Sequence, residues 1–302
     1  MSKVINLIKN PKRIISVLAN RGLLNWLSDE TLLKIQYKDK MNKKLNLENP
    51  QTFNEKLQWL KLYDRNSVYT DLVDKYEVRK YIAKTIGEEY LIPLIGIWDR
   101  FEEIEFSKLP DQFVLKCTHD SGGLVICNDK SKLKIEAARK KINKSLKRNY
   151  YYYGREWVYK NVKPRIICEK YMVDESGIEL KDYKFMCFNG EPKLIQVMSG
   201  RGNGRYFLNH FDLEWNEIEI PRKKLKKGSP SPSKPKNLRE MIEISKVLSK
   251  DFPFIRIDLY ETEKGIYFGE ITFFPVSGFM DFANEKHDYL LGSWIDLSKF
   301  QK

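Results

Sequence analysis

Apolar residues recur at helical spacing near the start of the chain: Val4, Ile5, Leu7, Ile8, then Ile14, Ile15, Val17 and Leu18. Lys3, Lys9, Lys12, Arg13 and Arg21 interrupt them, which predicts a basic amphipathic helix within residues 1–45. Such a helix either lies on an anionic membrane surface or docks on the chain's own body, docking being the commoner outcome. The spacing next predicts a short helix over 53–62 and a long one over 71–86, closed by Gly87. Basic residues over 131–149 and the apolar spacing of 238–248 predict two more. Strand-like runs occupy 91–98 (broken by Pro93 and Gly96), 113–117, 124–127, 165–171, 182–188, 192–197, 254–260 and 266–272. Asn189-Gly190 predicts a hairpin turn, and the Ser/Pro/Lys stretch 228–235 a mobile loop. No internal repeat is visible. Many strands with few helices between them indicate α+β lobes rather than a doubly wound sheet.

Composition narrows the class. The 302 residues carry 54 basic and 41 acidic side chains, and 42% are hydrophobic, as in a globular protein. Four cysteines without a C-x-x-C pair exclude a disulfide scaffold and argue against a zinc ribbon. No apolar run approaches the length of a membrane span, and the N-terminal segment lacks the clean apolar centre of a signal peptide. The expected location is cytoplasmic. The net charge of +13 is unevenly spread: residues 1–45 hold +7, 130–165 hold +11 and 222–239 hold +8, leaving the remainder acidic. Three basic segments suit a polyanionic partner, whether nucleic acid, anionic lipid or an acidic polymer; solvated lysine faces explain them equally well.

Several clusters carry chemistry. Lys116 on a predicted strand runs into His119-Asp120-Ser121-Gly122-Gly123, a pattern suited to cradling phosphate and equally to an ordinary hairpin. There is no Gly-Lys-Ser/Thr, so it is not a P-loop. Asp258 and Glu270 fall on two strands joined by a turn, with Arg256 on the face of Asp258. Two adjacent carboxylates call for a cation; a solvated strand face is the plain alternative. Residues 166–172 form an apolar strand with a polar end. Asp182 and Lys184 share a strand face, and a buried Lys184 needs an anion. Arg201 and Arg205 sit in a glycine-rich loop, where guanidinium forks suit carboxylate or phosphate. Tyr150 to Tyr153 and Trp157 lie inside the +11 segment. The three histidines have no metal-ligand spacing.

In order, these pieces resemble the ATP-grasp superfamily, and more closely its teichuronopeptide-biosynthesis (TupA-like) branch from bacterial surface-polysaccharide clusters. The resemblance is carried by Asn49-Pro50-Gln51-Thr52-Phe53-Asn54-Glu55-Lys56, Asp74-Lys75 through Pro93, residues 113–123, 167–171 and 182–190, Arg256-Ile257-Asp258-Leu259-Tyr260 and Gly269-Glu270-Ile271-Thr272-Phe273-Phe274-Pro275-Val276-Ser277-Gly278. It covers roughly residues 45–298.

The resemblance implies an α+β ATP-grasp fold, two lobes clamping ATP. The expected parts are the helical N-terminus 1–45, a pre-ATP-grasp region 46–110, an N-lobe 111–172 and a C-lobe 173–302. It implies that Arg79 and Lys116 contact phosphates and that the loop with His119, Ser121, Gly122 and Gly123 closes over them. Glu169, Lys170, Tyr171 and Met172 would hold adenine, Asp174 or Glu175 the ribose, and Lys184 the phosphates. Asp258, Glu270 and Thr272 would bind one or two Mg²⁺ ions; threonine stands where the superfamily usually has asparagine. Arg256, Arg201 and Arg205 would stabilise transferred charge and receive an acidic acceptor. The implied reaction joins a carboxylate to an amine through an acyl phosphate. The expected substrates are a uronic acid of a capsular or other surface polysaccharide, or its precursor, and an amino acid or amine. An ATP-dependent sugar or glycan kinase or other polysaccharide-modifying transferase, and a non-enzymatic polyanion-binding protein, are the alternatives. Contact with the inner face of an anionic membrane is a further expectation. Nucleic acid is disfavoured, since no RRM or KH pattern is present.

Overall fold

A computed structural model describes residues 18–19, 22–177, 179–200 and 206–298. The helix expected over Val4 to Leu18 falls outside them, apart from its last residue. The described helices are α1 (Asp29–Met41), α2 (Phe53–Tyr63), α3 (Val68–Val73), α4 (Val78–Thr85), α5 (Ile135–Leu146), α6 (Tyr151–Gly154), α7 (Leu238–Ser249) and α8 (Lys286–Ser293). The strands are β1 (Leu94–Trp98), β2 (Phe113–Cys117), β3 (Leu124–Cys127), β4 (Ile166–Lys170), β5 (Asp182–Phe188), β6 (Glu191–Ser199), β7 (Phe207–Phe211), β8 (Phe254–Thr262) and β9 (Gly265–Thr272). Every pairing between these strands is antiparallel. One sheet has the order β1-β4-β2-β3, the other β7-β6-β5-β8-β9. The α+β expectation holds.

Each sheet has its own core. Phe101, Phe113, Leu115, Ile142 and Ile166 fill the smaller lobe under α5. The larger lobe buries Phe185, Phe188, Phe254, Ile257 and Leu259, with α7 lying against β5, β6 and β8. Each such side chain contributes about 1.5–3 kcal/mol by leaving water. The region 46–110 is shared between them. Its α2 and α3 pack into the larger core, while β1 belongs to the smaller sheet.

The helix expected over 71–86 is broken. Asp74 leaves helical geometry at ψ 115°, and its Oδ1 accepts from the Tyr76 and Glu77 amides at 2.8 and 3.3 Å. The side chain thereby competes with the helical ladder. Arg165 holds the other oxygen at 2.8 Å. The stretch 228–235 is tied down rather than loose. Gly228 and Asn209 hydrogen-bond both ways, and Trp215 donates to the Pro232 carbonyl at 3.4 Å. The Asn189-Gly190 turn forms as expected, with φ of 51° and 85°, and a Cβ at Gly190 would meet the Lys250 carbonyl at 2.8 Å.

Two helices join the chain's early and late parts. Within residues 1–45, α1 docks on the protein's own body, burying Leu33 and Tyr37 with Leu45 and Phe279. Helix α2 starts in a capping box between Thr52 and Glu55. Its apolar face, Phe53, Leu57 and Leu60, enters the larger core. Its polar positions Asn54, Gln58 and Lys61, spaced four and three residues apart, are also buried and bond to residues 277–288.

Candidate active site

The strand register assembles the polar centre. Lys184 on β5 lies opposite Asp258 on β8, and Asp258 lies opposite Glu270 on β9. The same pleat brings Asp182 and Arg256, two residues earlier on their strands, to this face. Lys184 donates from Nζ to Asp182 at 2.6 Å and to Asp258. Arg256 holds both oxygens of Asp258, at 2.6 and 2.8 Å, and Oε1 of Glu270 at 2.8 Å. Asp258 is 1% exposed, whereas the Glu270 side chain is 39% exposed. Burial pushes the Glu270 carboxyl up, but Arg256, Lys75, Lys184 and Lys116 outweigh it and hold it at about 2. Glu270 therefore stays ionised at any working pH.

Glu270, Arg256 and Thr272 line a cleft of about 610 Å³. Its other walls bring Lys75, Asp120 and Ser121 from the smaller-lobe side, Tyr150, Tyr153 and Glu156 from around α6, Lys40 from α1, and residues 274–281. Lys75 donates to the Asp120 carbonyl at 2.7 Å. Asp120 knits its loop together by accepting from Ser145, from Arg148 at 2.8 Å and from the Gly123 amide at 3.2 Å. Gly122 has φ +116° in open space, whereas a Cβ at Gly123 would strike Ser145 and Cys117. His119 turns away from the cleft. Its buried Nε2 donates to the Ser145 and Arg148 carbonyls at 3.1 Å, anchoring the end of α5.

A second cavity of about 210 Å³ lies at the end of β4. Lys170, Tyr171, Met172, Val173 and Asp174 form one side, Thr262 to Lys264 and Tyr267 another. On the face of the smaller sheet, Glu169 pairs with Lys116 at 2.6 Å and with Arg79 at 3.5 Å. Arg79, Lys116 and Glu169 are thus brought together, with Glu169 serving as counterion. Asp174 is fully engaged within its own turn, accepting from Ser176 and from Lys181. Glu175 pairs with Lys181 at 2.7 Å. Arg201 and Arg205 lie outside the described residues.

The fit to Mg²⁺ follows from the donor set. Among the described residues no group of three His, Cys, Asp or Glu side chains is placed to hold a metal. Both oxygens of Asp258 are occupied by cations. Glu270, ionised and open to the cleft, and Thr272 beside it suit an ion that arrives already coordinated by phosphate oxygens.

Lys75 and Glu156 were not among the sequence-derived site residues. Glu156 did carry a signal: it is one of two acids among thirteen bases in residues 130–165.

Residues 55–296 match the TupA-like ATPgrasp family. The chain belongs to that family and is an enzyme of the ATP-grasp ligase class. None of the curated proteins matches it. Among solved structures it is similar to D-alanine–D-alanine ligase from Helicobacter pylori, at 14% identity and TM-score 0.43 over 82% of this chain and 70% of that one. It is also similar to a RimK-domain ATP-grasp protein from Sphaerobacter thermophilus, at 11% identity and TM-score 0.39 over 77% and 70%. The Bacillus anthracis D-alanine–D-alanine ligase complexed with ATP matches at 17% identity and TM-score 0.37, over 67% of this chain and 55% of that one. No described helix is long and apolar enough to cross a membrane.

Proposed function

We propose that the protein is an ATP-dependent carboxylate–amine ligase acting through an acyl phosphate. Its acceptor is a uronic acid of a surface polysaccharide or precursor, and its nucleophile an amino acid or amine. The observation that carries this reading is the partly exposed Glu270, held by Arg256 at 2.8 Å at the wall of a cleft large enough for a phosphate chain and an acceptor.

Adenine enters the cavity beside Lys170 to Asp174, and the phosphates extend past Lys116 and Arg79 toward Lys75 and Lys184. Glu270 and Thr272 would hold Mg²⁺, which neutralises phosphate charge when bound. Asp258 serves as the counterion that aims Arg256 and Lys184. The acceptor carboxylate attacks the γ-phosphorus, its oxygen forming the new P–O bond as ADP departs. Arg256 stabilises the charge that develops. Lys40 and Lys224 line the same cleft and make no ion pair among the described residues, so they are available to an acidic acceptor.

The test incubates the protein with Mg-ATP and pools of uronic acids and amino acids, following phosphate release with mass detection of the product. An amide product is expected, with turnover lowered at least about 100-fold in Glu270→Gln. A stable phosphosugar would instead establish a kinase. Unchanged turnover in the Gln variant would refute the site.

A further inference from the structure

Glu156 is a deep-set carboxylate on the cleft wall, only 4% exposed. It follows α6 directly after Arg155, whose φ of 55° turns the chain sharply. The turn sends the neighbours opposite ways. Arg155 reaches back to the Leu24 carbonyl at 3.1 Å and toward Asp29, while Glu156 faces the cleft.

Burying a carboxylate is costly unless a cation meets it. Among the described residues Glu156 has no ion pair within 4.0 Å: Lys61 and Arg256 are bonded elsewhere, and Lys40 lies over an aromatic ring. Lys61 on α2 donates to Gln58 Oε1 at 2.9 Å and to the Gly154 and Ser277 carbonyls at 2.9 and 2.8 Å. Lys40 on α1 sits 4.0 Å over the Phe279 ring. Arg256 on β8 is held by Asp258 and Glu270. Ser277 lies beside it, with its hydroxyl donating to the Gly154 carbonyl at 3.4 Å. Ser277 lies in a backbone kink where Val276, Ser277 and Gly278 all have positive φ, and Gln58 pins the Ser277 and Gly278 carbonyls at 3.1 and 2.7 Å. A β-branched residue at φ 52° stores strain of the kind that collects at working sites.

The other deep carboxylates of the cleft are spoken for. Asp120 is bound by Arg148, Asp281 by Arg222, and Glu270 is held too acidic to be a useful base. Burial raises the proton affinity of Glu156, opposed by Lys61, Ser277, Lys40 and Arg256. Tyr150 and Tyr159, the remaining titratable neighbours, are themselves pushed upward and stay neutral.

We infer that Glu156 is the catalytic base for the second half-reaction, accepting the proton that the incoming amine sheds as it attacks the acyl phosphate. This rests on the ligase reading above. The amine enters as free base. Its lone pair forms the N–C bond, and the C–O bond to phosphate breaks, its electron pair leaving with inorganic phosphate. The nitrogen's surplus proton passes to the Glu156 carboxylate and then to solvent.

The test separates the half-reactions. The protein receives Mg-ATP, a panel of uronic acids, and either hydroxylamine or a pool of amino acids. Hydroxylamine traps an acyl phosphate without a strong base. In Glu156→Gln, hydroxamate formation should match wild type, while amide formation falls at least about 100-fold. The rise of amide formation with pH should flatten in that variant, and Glu156→Asp should restore part of the rate. Equal loss of both products, or unimpaired amide formation in the Gln variant, would overturn the assignment. Absence of hydroxamate from wild type with every acid would overturn the ligase reading and this inference with it.

Discussion

Asn54 offers the sharpest test of how the cleft is held. It is fully buried at the start of α2. Its Nδ2 donates to the Met280 carbonyl at 3.1 Å and to Asp288 Oδ2 at 2.9 Å, and its Oδ1 accepts from the Met280 amide at 2.6 Å. Asn54→Ala deletes three hydrogen bonds worth about 1 kcal/mol each and orphans a buried amide at a further 1 kcal/mol or more. The expected cost is about 4 kcal/mol. At roughly 2 °C per kcal/mol for a chain of this size, the Tm should fall by about 8 °C. Asn54→Asp separates packing from polarity. The new carboxylate would face Asp288, whose carboxyl burial already pushes up. Two carboxylates in contact favour a shared proton, so this variant should be weaker than Ala at pH 7.5 and recover relative to it near pH 5. Calorimetric melts at the two pH values decide. An Asn54→Ala melt within 2 °C of wild type, or an Asp variant indifferent to pH, would refute the reasoning.

Two further outcomes follow from single contacts. A Cβ at Gly292 would lie 2.3 Å from the Gln51 carbonyl oxygen and 2.7 Å from the Phe53 amide, so Gly292→Ala must part α8 from α2; a loss of about 2–3 kcal/mol is expected from urea unfolding, and an unchanged midpoint would contradict the close approach. His210 is buried, accepts from Gln196 at 3.2 Å, and is held down at about 3 by burial and by Arg222. The unfolded chain therefore takes up this proton first, and stability should fall as pH drops below 6.5 by up to about 1.4 kcal/mol per unit; His210→Gln should remove that component.

The strands that carry the polar centre were legible because period-2 patterns and an Asn-Gly turn mark them plainly. That Asp258 and Glu270 are neighbours also followed, since a hairpin joins them. What escaped was set by distant partners. The Asp74 carboxylate that breaks the helix is held in place by Arg165, ninety-one residues away in sequence. Strand β7 was hidden because Asn209 and His210 are polar yet buried, satisfied by Glu217 and Gln196. The commitment of Asp258 to two cations, leaving Glu270 as the open carboxylate, comes from side-chain geometry that register alone does not reveal. Glu156 and Lys75 join the site only through tertiary placement: Lys75 is held by the Asp120 carbonyl, forty-five residues on, and Glu156 lines the same cleft.

The bonds from Asn54, Gln58 and Lys61 to residues 277–288 also set an order of events during synthesis. These partners are separated by 216 to 234 residues, so the loop between them must close before any of the bonds forms. A nascent chain can pair the strands of its smaller sheet while the ribosome is still adding the larger one. Lys61 must meanwhile stay hydrated, because the Ser277 carbonyl that receives it has not been made. The wall bearing Ser277 therefore closes last, and a chain interrupted before residue 277 has its smaller sheet without a completed cleft.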